Sequence, residues 1–215
     1  MTSSQSTQKR STYHHGDLER SLLDAAETEL ETNGIERFSL RAVAKRVSVS
    51  PSAPTHHFGN TDGLLTALAS RGYSKFIKMQ DKRESRAGDD PKAKLAASGL
   101  GYIDFAKKHP ALFRLMFASE RTDKANPNLA KAANAAFEKL TKHIEAIQGV
   151  DPHTNQIAMA DALAVWGIAH GLADLTISER LGRATFLAGM SDEDRDEFFS
   201  DIILRGVSTH LEKKT

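Results

Sequence analysis

Apolar residues recur every three or four positions along almost the whole chain, and no segment alternates apolar and polar residues over the length of a strand. This spacing places apolar side chains on one face of an α-helix. With 40% hydrophobic and 27% charged residues, and only 14 glycines and 6 prolines, the chain has a globular rather than a disordered or fibrous composition. The sequence therefore predicts an all-α protein of about nine helices.

Prolines that follow a capping side chain indicate where these helices begin. A Ser, Asp or Asn cap binds free backbone N–H groups, and proline suits the first helical position because its missing N–H needs no partner there. Four of the six prolines follow such a residue, in Ser50-Pro51, Asp90-Pro91, Asn126-Pro127 and Asp151-Pro152. Together with the apolar spacing, these pairs predict helices over residues 17–33, 39–47, 50–58, 61–82, 91–108, 110–118, 127–148, 152–178 and 191–211, and a loop over 180–190.

Three of the predicted helices fall within the first 60 residues, and the last two are short and joined by a tight turn at Val47-Ser48-Val49. This is the spacing of a helix-turn-helix, whose second helix lies in the major groove of DNA, although short paired helices also occur in ordinary bundles. Residues 37–61 contain four basic residues and no acid, whereas residues 17–36 contain seven acids and one arginine. Since an ordinary solvated face mixes charges, the acid-free segment favours DNA as the partner.

The start of the second short helix offers small polar groups that can donate to and accept from base edges. Because Pro54 is tolerated only in a first turn, the regular helix is predicted to begin nearer Ser52 than Ser50. Arg41 on the preceding helix suits a guanine edge or a phosphate, and His57 suits a phosphate. The candidate DNA-binding residues are Ser39, Arg41, Ser50, Pro51, Ser52, Thr55, His56, His57 and Thr61.

The adjacent histidines 14–15 and 56–57 raise the alternative of a metal site. Neighbours on a helix point about 100° apart, so neither pair can face one metal, and the chain has no cysteine. We find no paired nucleophile and base, no phosphate-binding loop and no metal-ligand spacing. The sequence thus predicts no catalytic site, metal or cofactor, and a helical metal-dependent enzyme is the least favoured alternative.

A larger set of aromatic and sulfur-bearing residues follows the first 60 positions. Trp166 and His170 are four apart and share a helix face, where they either pack at a helix crossing or border a ligand cavity. The remaining members form either core or the wall of a mostly apolar pocket. The candidate ligand-binding residues are Tyr102, Phe105, Phe113, Met116, Phe117, Phe137, Trp166 and His170.

The last two long helices carry more apolar surface than a monomer needs, which favours a two-fold dimer. The broad apolar face of the final helix comprises Phe199, Ile202, Ile203, Gly206 and Val207. The polar start MTSSQSTQKR is not a secretory signal, and no window has about 18 uninterrupted apolar residues. We therefore expect a cytoplasmic protein without a membrane partner.

Two blocks of sequence resemble a known family. YHHGDLERSLLDAAETELETNG and FSLRAVAKRVSVSPSAPTHHFGNTDGLLTALA resemble the DNA-binding domain of the TetR family of transcriptional repressors. Trp166-Gly-Ile-Ala-His170-Gly171, with HPALFRLMF at residues 109–117, is similar to the ligand-binding domain of the subgroup named for its Trp-His-Gly signature. The resemblance covers about residues 13–211.

The resemblance implies a homodimer, joined by a four-helix interface from the last two helices of each subunit, that binds palindromic double-stranded operator DNA. It further implies release by a small apolar or amphipathic effector, although a DNA-binding regulator without such a ligand is an alternative. The expected domains are a flexible arm over residues 1–12, a helix-turn-helix domain over 13–60, and a ligand-binding and dimerisation domain over 61–215. Ser48, Thr55 and Thr61 depart from the glycine, tyrosine and lysine that are usual in the family.

Overall fold

The structure is a computed structural model that describes residues 9–208, apart from the side chains of residues 9–16, 183, 185 and 188. The described residues contain helices and no strand, which confirms the all-α prediction. The helices are α1 (Lys9–Asn33), α2 (Leu40–Arg46), α3 (Ala53–Phe58), α4 (Thr61–Glu84), α5 (Pro91–Lys108), α6 (Pro110–Ala118), α7 (Pro127–Gln148), α8 (Gln156–Ile177), α9 (Thr185–Ala188) and α10 (Asp192–Leu204), with a 3-10 helix at Arg180–Arg183.

Two of the four proline pairs begin helices as predicted. The Asp90 carboxylate accepts the Ala93 N–H at 3.0 Å at the start of α5. The Asn126 side chain accepts the N–H groups of Asn128 and Leu129 at the start of α7. The bounds of α5, α6 and α7 are the predicted ones.

The other two pairs form turns, so the predicted starts at residues 50 and 152 are wrong. Asp151 Oδ1 accepts the His153 N–H at 2.9 Å within a turn, and α8 begins only after Asn155. Asn155 Oδ1 accepts two N–H groups, from Ile157 and Ala158, and is thus the better cap. At the other pair, helix α3 begins at Ala53, near the Ser52 start that Pro54 predicted.

Three further expectations need correction. Helix α1 begins at Lys9 rather than at residue 17, so it includes residues 9–12 of the expected arm, while residues 1–8 lie outside the described range. The segment predicted as a loop over 180–190 holds the 3-10 helix and α9. Helix α10 ends at Leu204, well short of residue 211, and residues 209–211 lie outside the described range.

The chain divides into two packing units. Among the described residues, the first comprises 9–72 and 111–130, and the second comprises 73–110 and 131–208. The first unit is built around fully buried aliphatic side chains of α1, α2 and α4, including Leu22, Leu30, Val43 and Leu64. It therefore contains the helix-turn-helix segment together with α6, which lies far away in the sequence.

In the second unit, α5 packs against α8 and α10. The packing is close because glycines lie at the crossings: a Cβ on Gly99 would lie 2.6 Å from Ile203 Cδ1, and one on Gly206 would lie 2.9 Å from Val165 N. Phe199 and Ile203 are buried there as well. Most of the apolar face predicted for the last helix is therefore part of this chain's own core.

Helix α8 is rich in apolar residues on both halves of its circumference, with Asp161 and Asp174 as its charged members. By length and composition alone it would suffice to span a membrane, and a third of its most apolar window is buried (33%). One half of its circumference carries the buried residues Ala158, Val165, Ala169 and Leu172. The other half carries apolar side chains that are exposed in a single chain, including Ile157, Leu163, Trp166 and Leu175.

Candidate nucleic-acid interface and ligand sites

The turn after α2 is a Schellman motif, a helix ending closed by two backbone hydrogen bonds. The Val49 N–H donates to the Ala44 carbonyl at 3.1 Å and the Ser48 N–H to the Lys45 carbonyl at 3.2 Å. This motif needs a left-handed residue, and Ser48 occupies it with φ 56°. The position where the family usually has glycine therefore keeps the left-handed conformation with a Cβ present.

We expect Ser48→Gly to raise the free energy of unfolding by about 0.5 to 1 kcal/mol, because glycine has no Cβ to clash in the left-handed region. Urea unfolding at a fixed protein concentration measures the change. Ser48→Ala is the matched control, since alanine keeps the Cβ and removes only the hydroxyl, and it should give no gain. Equal stabilisation by both substitutions would contradict the idea that the Cβ of Ser48 strains the left-handed backbone.

Helix α3 presents its polar side chains outward. Ser50, Ser52, Thr55 and His56 are exposed, as is Pro51. The Ser50 and Ser52 hydroxyl oxygens lie 3.1 Å apart, and Ser52 makes no cap to the helix. The side chains predicted to contact DNA therefore form one solvent-facing surface around the start of this helix.

The remaining predicted contacts lie around this surface. Arg41 on α2 is exposed, whereas His57 and Thr61 are half-buried. Ser39 has a structural role, because its hydroxyl accepts the Ala42 N–H at 3.4 Å as the cap of α2. The roles of these residues in DNA binding stay predictions.

One of the four basic residues of the acid-free segment is held by an acid from α1. Arg46 Nε donates to Glu29 Oε2 at 3.0 Å, and the Glu29 side chain is almost fully buried. Asn33 donates to the other oxygen of Glu29 at 2.8 Å. This pair anchors α2 to α1, so Arg37, Arg41 and Lys45 carry the exposed positive charge of the surface.

Two side chains that the sequence did not single out fix α6 within the first unit. The Glu31 carboxylate accepts the N–H groups of Ala111 and Leu112 at 3.1 and 3.0 Å, which caps the start of α6. Arg121 pairs with Asp62 and donates to the Ile35 carbonyl at 3.3 Å. Pro110 indicated a helix start, but the capping acid lies about 80 residues away and no local pattern could reveal it.

The metal alternative gains no support. The His56 and His57 ring centroids lie 5.9 Å apart with their planes 74° apart. Within the described part of the chain, no three His, Asp or Glu side chains are grouped so that they could hold a metal ion.

Trp166 and His170 both hydrogen bond to the hydroxyl of Tyr102 on α5. Because the indole N–H can only donate, the Tyr102 oxygen accepts from it, and the same oxygen lies 2.8 Å from His170 Nδ1. Burial raises the pKa of Tyr102 and lowers the pKa of His170, so both are neutral near pH 7. The pair therefore joins α8 to α5 at a helix crossing, and its contact with a ligand stays a prediction.

The other candidate ligand residues divide between the two units. In the second unit, Phe137 lies 5.9 Å from Trp166 between ring centroids, and the fully buried Phe105 lies 5.4 Å from Phe76. Phe76, which is not among the candidate residues, also lies 4.7 Å from Tyr102 between ring centroids. The first unit holds Phe113, Met116 and Phe117.

A charged network ties α4 to α5 and α7 in the second unit. Glu84 accepts from Lys139 at 2.8 Å and lies 3.2 Å from His143 Nε2. Burial by itself would raise the pKa of Glu84, but the neighbouring side chains of His143, Lys139 and Ser98 lower it to about 2. Glu84 is therefore ionised at neutral pH.

Among the residues that the structure describes, two cavities can be delimited, and none of the eight candidate ligand residues lines either of them. One, of about 530 Å³, lies in the second unit between α5, the end of α8 and the start of α10. The other, of about 370 Å³, lies in the first unit between the turn after α1 and α6, beside Ile35 and Leu115. The larger volume is within the range of small-molecule sites.

A Schellman turn that joins two short helices, with the second one polar and exposed, is the arrangement of a helix-turn-helix. Comparison with known families agrees: residues 22–68 match the family "Bacterial regulatory proteins, tetR family", and residues 95–205 match "Tetracyclin repressor-like, C-terminal domain". The chain belongs to the TetR family of transcriptional regulators.

Individual proteins are similar to this chain in sequence or in fold. The chain is 33% identical over 123 residues to the HTH-type transcriptional regulator BetI of Paraburkholderia xenovorans, a match covering 57% of this chain and 63% of that relative. A solved protein of unknown function from Rhodococcus sp. RHA1 is 28% identical and superposes with a TM-score of 0.71 over 92% of this chain and 98% of its own. The multidrug binding protein EbrR, solved with imidazole, is 17% identical over 88% and 94% of the two chains, with a TM-score of 0.57, which shows the shared fold alone.

Proposed function

We propose that the protein represses transcription as a homodimer that binds palindromic operator DNA and is released by a small apolar or amphipathic ligand. The observation that carries the proposal is the exposed polar surface of α3 beside the acid-free basic segment of α2, within a chain of the TetR family. Base edges are read by such side chains, and the exposed cations supply the affinity for phosphates. A regulator of this kind acts on DNA in the bacterial cytoplasm.

We infer that the C-terminal part belongs to the Trp-His-Gly subgroup. Trp166 and His170 share one partner, the Tyr102 hydroxyl. Residues four positions apart lie on the same face of a helix, so this spacing lets both side chains reach the same group. The aromatic residues around them remain our candidates for a ligand wall. EbrR shows that a protein of this fold can be a multidrug binding protein.

The exposed apolar half of α8 supports dimerisation. A helix with apolar residues on both sides is usually covered on both, and only one half of α8 is buried in one chain. A two-fold pairing of α8 with its mate, joined by the outer surface of α10, would cover the rest. Two copies of α3 would then lie about 34 to 36 Å apart, in successive major grooves.

Release requires that the ligand bind one separation of the two recognition helices better than the other. Helix α4 is the proposed lever, because it contributes residues up to Gly72 to the first packing unit and from Tyr73 onward to the second. The proposed ligand-binding domain, residues 61–215, is defined by function, so its bounds differ from those of the packing units.

A gel shift with the DNA upstream of the protein's own gene tests the proposal. Purified dimer should retard this fragment at low salt and lose affinity steeply as salt rises. Failure to bind at low salt would rule out the proposed function. Adding candidate effectors to the complex would then separate a ligand-released repressor from a regulator without a ligand.

The same assay tests the assigned contacts. Arg41→Ala should cost about 1 to 3 kcal/mol on the preferred operator and relax its base preference, whereas His57→Ala should weaken all sequences alike. Arg86→Ala is the control, since it removes an exposed positive charge from a loop outside the helix-turn-helix. If His57→Ala changed the base preference and Arg41→Ala weakened binding to all sequences equally, the roles of the two residues would be exchanged.

A further inference from the structure

The larger cavity of the second unit has an apolar floor. Leu100 and Ile103 of α5, Leu187 of α9 and Phe199 of α10 line it, and all four are buried residues of the core. Its volume of about 530 Å³ fits a drug-sized molecule. An apolar floor of this kind favours an organic molecule over a hydrated inorganic ion.

One side of the cavity carries an excess of negative charge that is partly buried. Arg83 donates from Nε to Asp104 at 2.6 Å and from Nη1 to Asp196 at 2.5 Å, so two carboxylates share one guanidinium. Each of the three side chains is roughly one-third exposed. A surplus carboxylate in such a place is costly unless a further cation approaches it.

The other charged groups of the lining do not cancel this surplus. Lys107 and Arg195 add two positive charges, and Glu179 and Asp192 add two negative ones, so the whole lining has three cations and four acids, a net charge of −1. Arg195 and Asp192 offset each other, since Arg195 Nη1 lies 3.6 Å from Asp192 Oδ1. Lys107 and Glu179 are both exposed and opposite in charge, so water screens the two charges alike and they offset each other.

The helix ends around the cavity act in the same direction. Thr176 lines it from the last turn of α8, and the C-terminal end of a helix is the negative end of its dipole. The N-terminus of α10 would oppose this effect, but its first turn holds Asp192, Glu193 and Asp194.

We propose that this cavity is a binding site for an amphipathic organic cation, whose charged group lies near Asp104 and Asp196 and whose apolar part covers Leu100, Ile103 and Phe199. The site is separate from the Trp166 and His170 cluster. The proposal concerns only the binding of this cation, so it does not depend on whether the protein binds DNA.

Tetraphenylphosphonium and tetraphenylborate test the proposal in the full-length protein, because they have nearly the same shape and opposite charges. Isothermal titration calorimetry should give tetraphenylphosphonium an affinity at least about tenfold higher than that of tetraphenylborate. Asp196→Asn keeps an oxygen that can accept from Arg83 and removes the surplus charge, so it should weaken tetraphenylphosphonium binding about tenfold. Glu179→Gln changes an exposed residue and should weaken it by a smaller factor.

Glu193→Gln is the matched control, because Glu193 lies on the same first turn of α10 but does not line the cavity. It should leave the affinity for tetraphenylphosphonium within about twofold of the wild type. Three outcomes would overturn the proposal: no binding of tetraphenylphosphonium, equal or tighter binding of tetraphenylborate, or wild-type affinity in both Asp196→Asn and Glu179→Gln. Urea unfolding of each variant identifies any loss of binding that comes from loss of the fold.

Discussion

Replacing Gly101 by alanine is expected to lower the free energy of unfolding by about 2 kcal/mol. A Cβ at Gly101 of α5 would lie 2.6 Å from Gln80 Cα and 2.9 Å from Gln80 N and Met79 O of α4. These are backbone atoms, so no side-chain rotation can relieve the contact and the two helices must move apart. Overpacking of this kind costs about 3 kcal/mol, and the higher helix propensity of alanine offsets about 1 kcal/mol of that cost.

Gly189→Ala provides the control for this prediction. Gly189 has a negative φ, and a Cβ there would meet nothing within 4 Å. Like Gly101→Ala, this substitution reduces the backbone freedom of the unfolded chain, but it adds no steric contact in the folded one. It should therefore be neutral or slightly stabilising. Urea unfolding at one protein concentration compares the two, and a Gly101→Ala variant as stable as Gly189→Ala would show that α4 and α5 are not in contact at this position.

The same two helices show what the sequence could predict and what it could not. Local patterns sufficed for the bounds of α5, α6 and α7, because an apolar period and a capping residue act within one turn. They failed at Asp151-Pro152, where two capping residues four positions apart compete and Asn155 binds the free N–H groups of α8. Gly101 lies inside a helical pattern, and only the approach of Gln80 explains why a glycine is there.

The candidate sites divide in the same way. The helix-turn-helix was predictable because its signals, a short helix, a turn and a polar helix start, all fall within about 20 residues. The cavity in the second unit was not predictable, because α4, α5, α8 and α10 each contribute side chains to it. Arg83 and Asp196 are 113 positions apart, and neither stands in a recognisable motif.

Helix α8 connects the fold to the proposed function through its exposed half. Gly167 lies near the centre of that half. The exposed side chains of Leu163 and Trp166 lie on one side of it, and those of Ile157 and Leu175 lie on the other. A Cβ at Gly167 would meet no atom within 4 Å of its own chain. A large residue there therefore changes nothing in the core of one chain, and any strong effect must come from a second copy.

Gly167→Glu is accordingly expected to convert the protein to a monomer and to lower its affinity for a palindromic operator about a hundredfold. A glutamate from each copy would be buried against its mate, and a monomer loses the gain from binding two half-sites at once. Sedimentation velocity and gel shift measure the two effects, with Ala135→Glu on the exposed face of α7 as the matched control. If Gly167→Glu unfolds the protein while Ala135→Glu does not, the chain still needs its partner at this face. A Gly167→Glu variant that remains dimeric and binds the operator as the wild type does would show that α8 is not the interface.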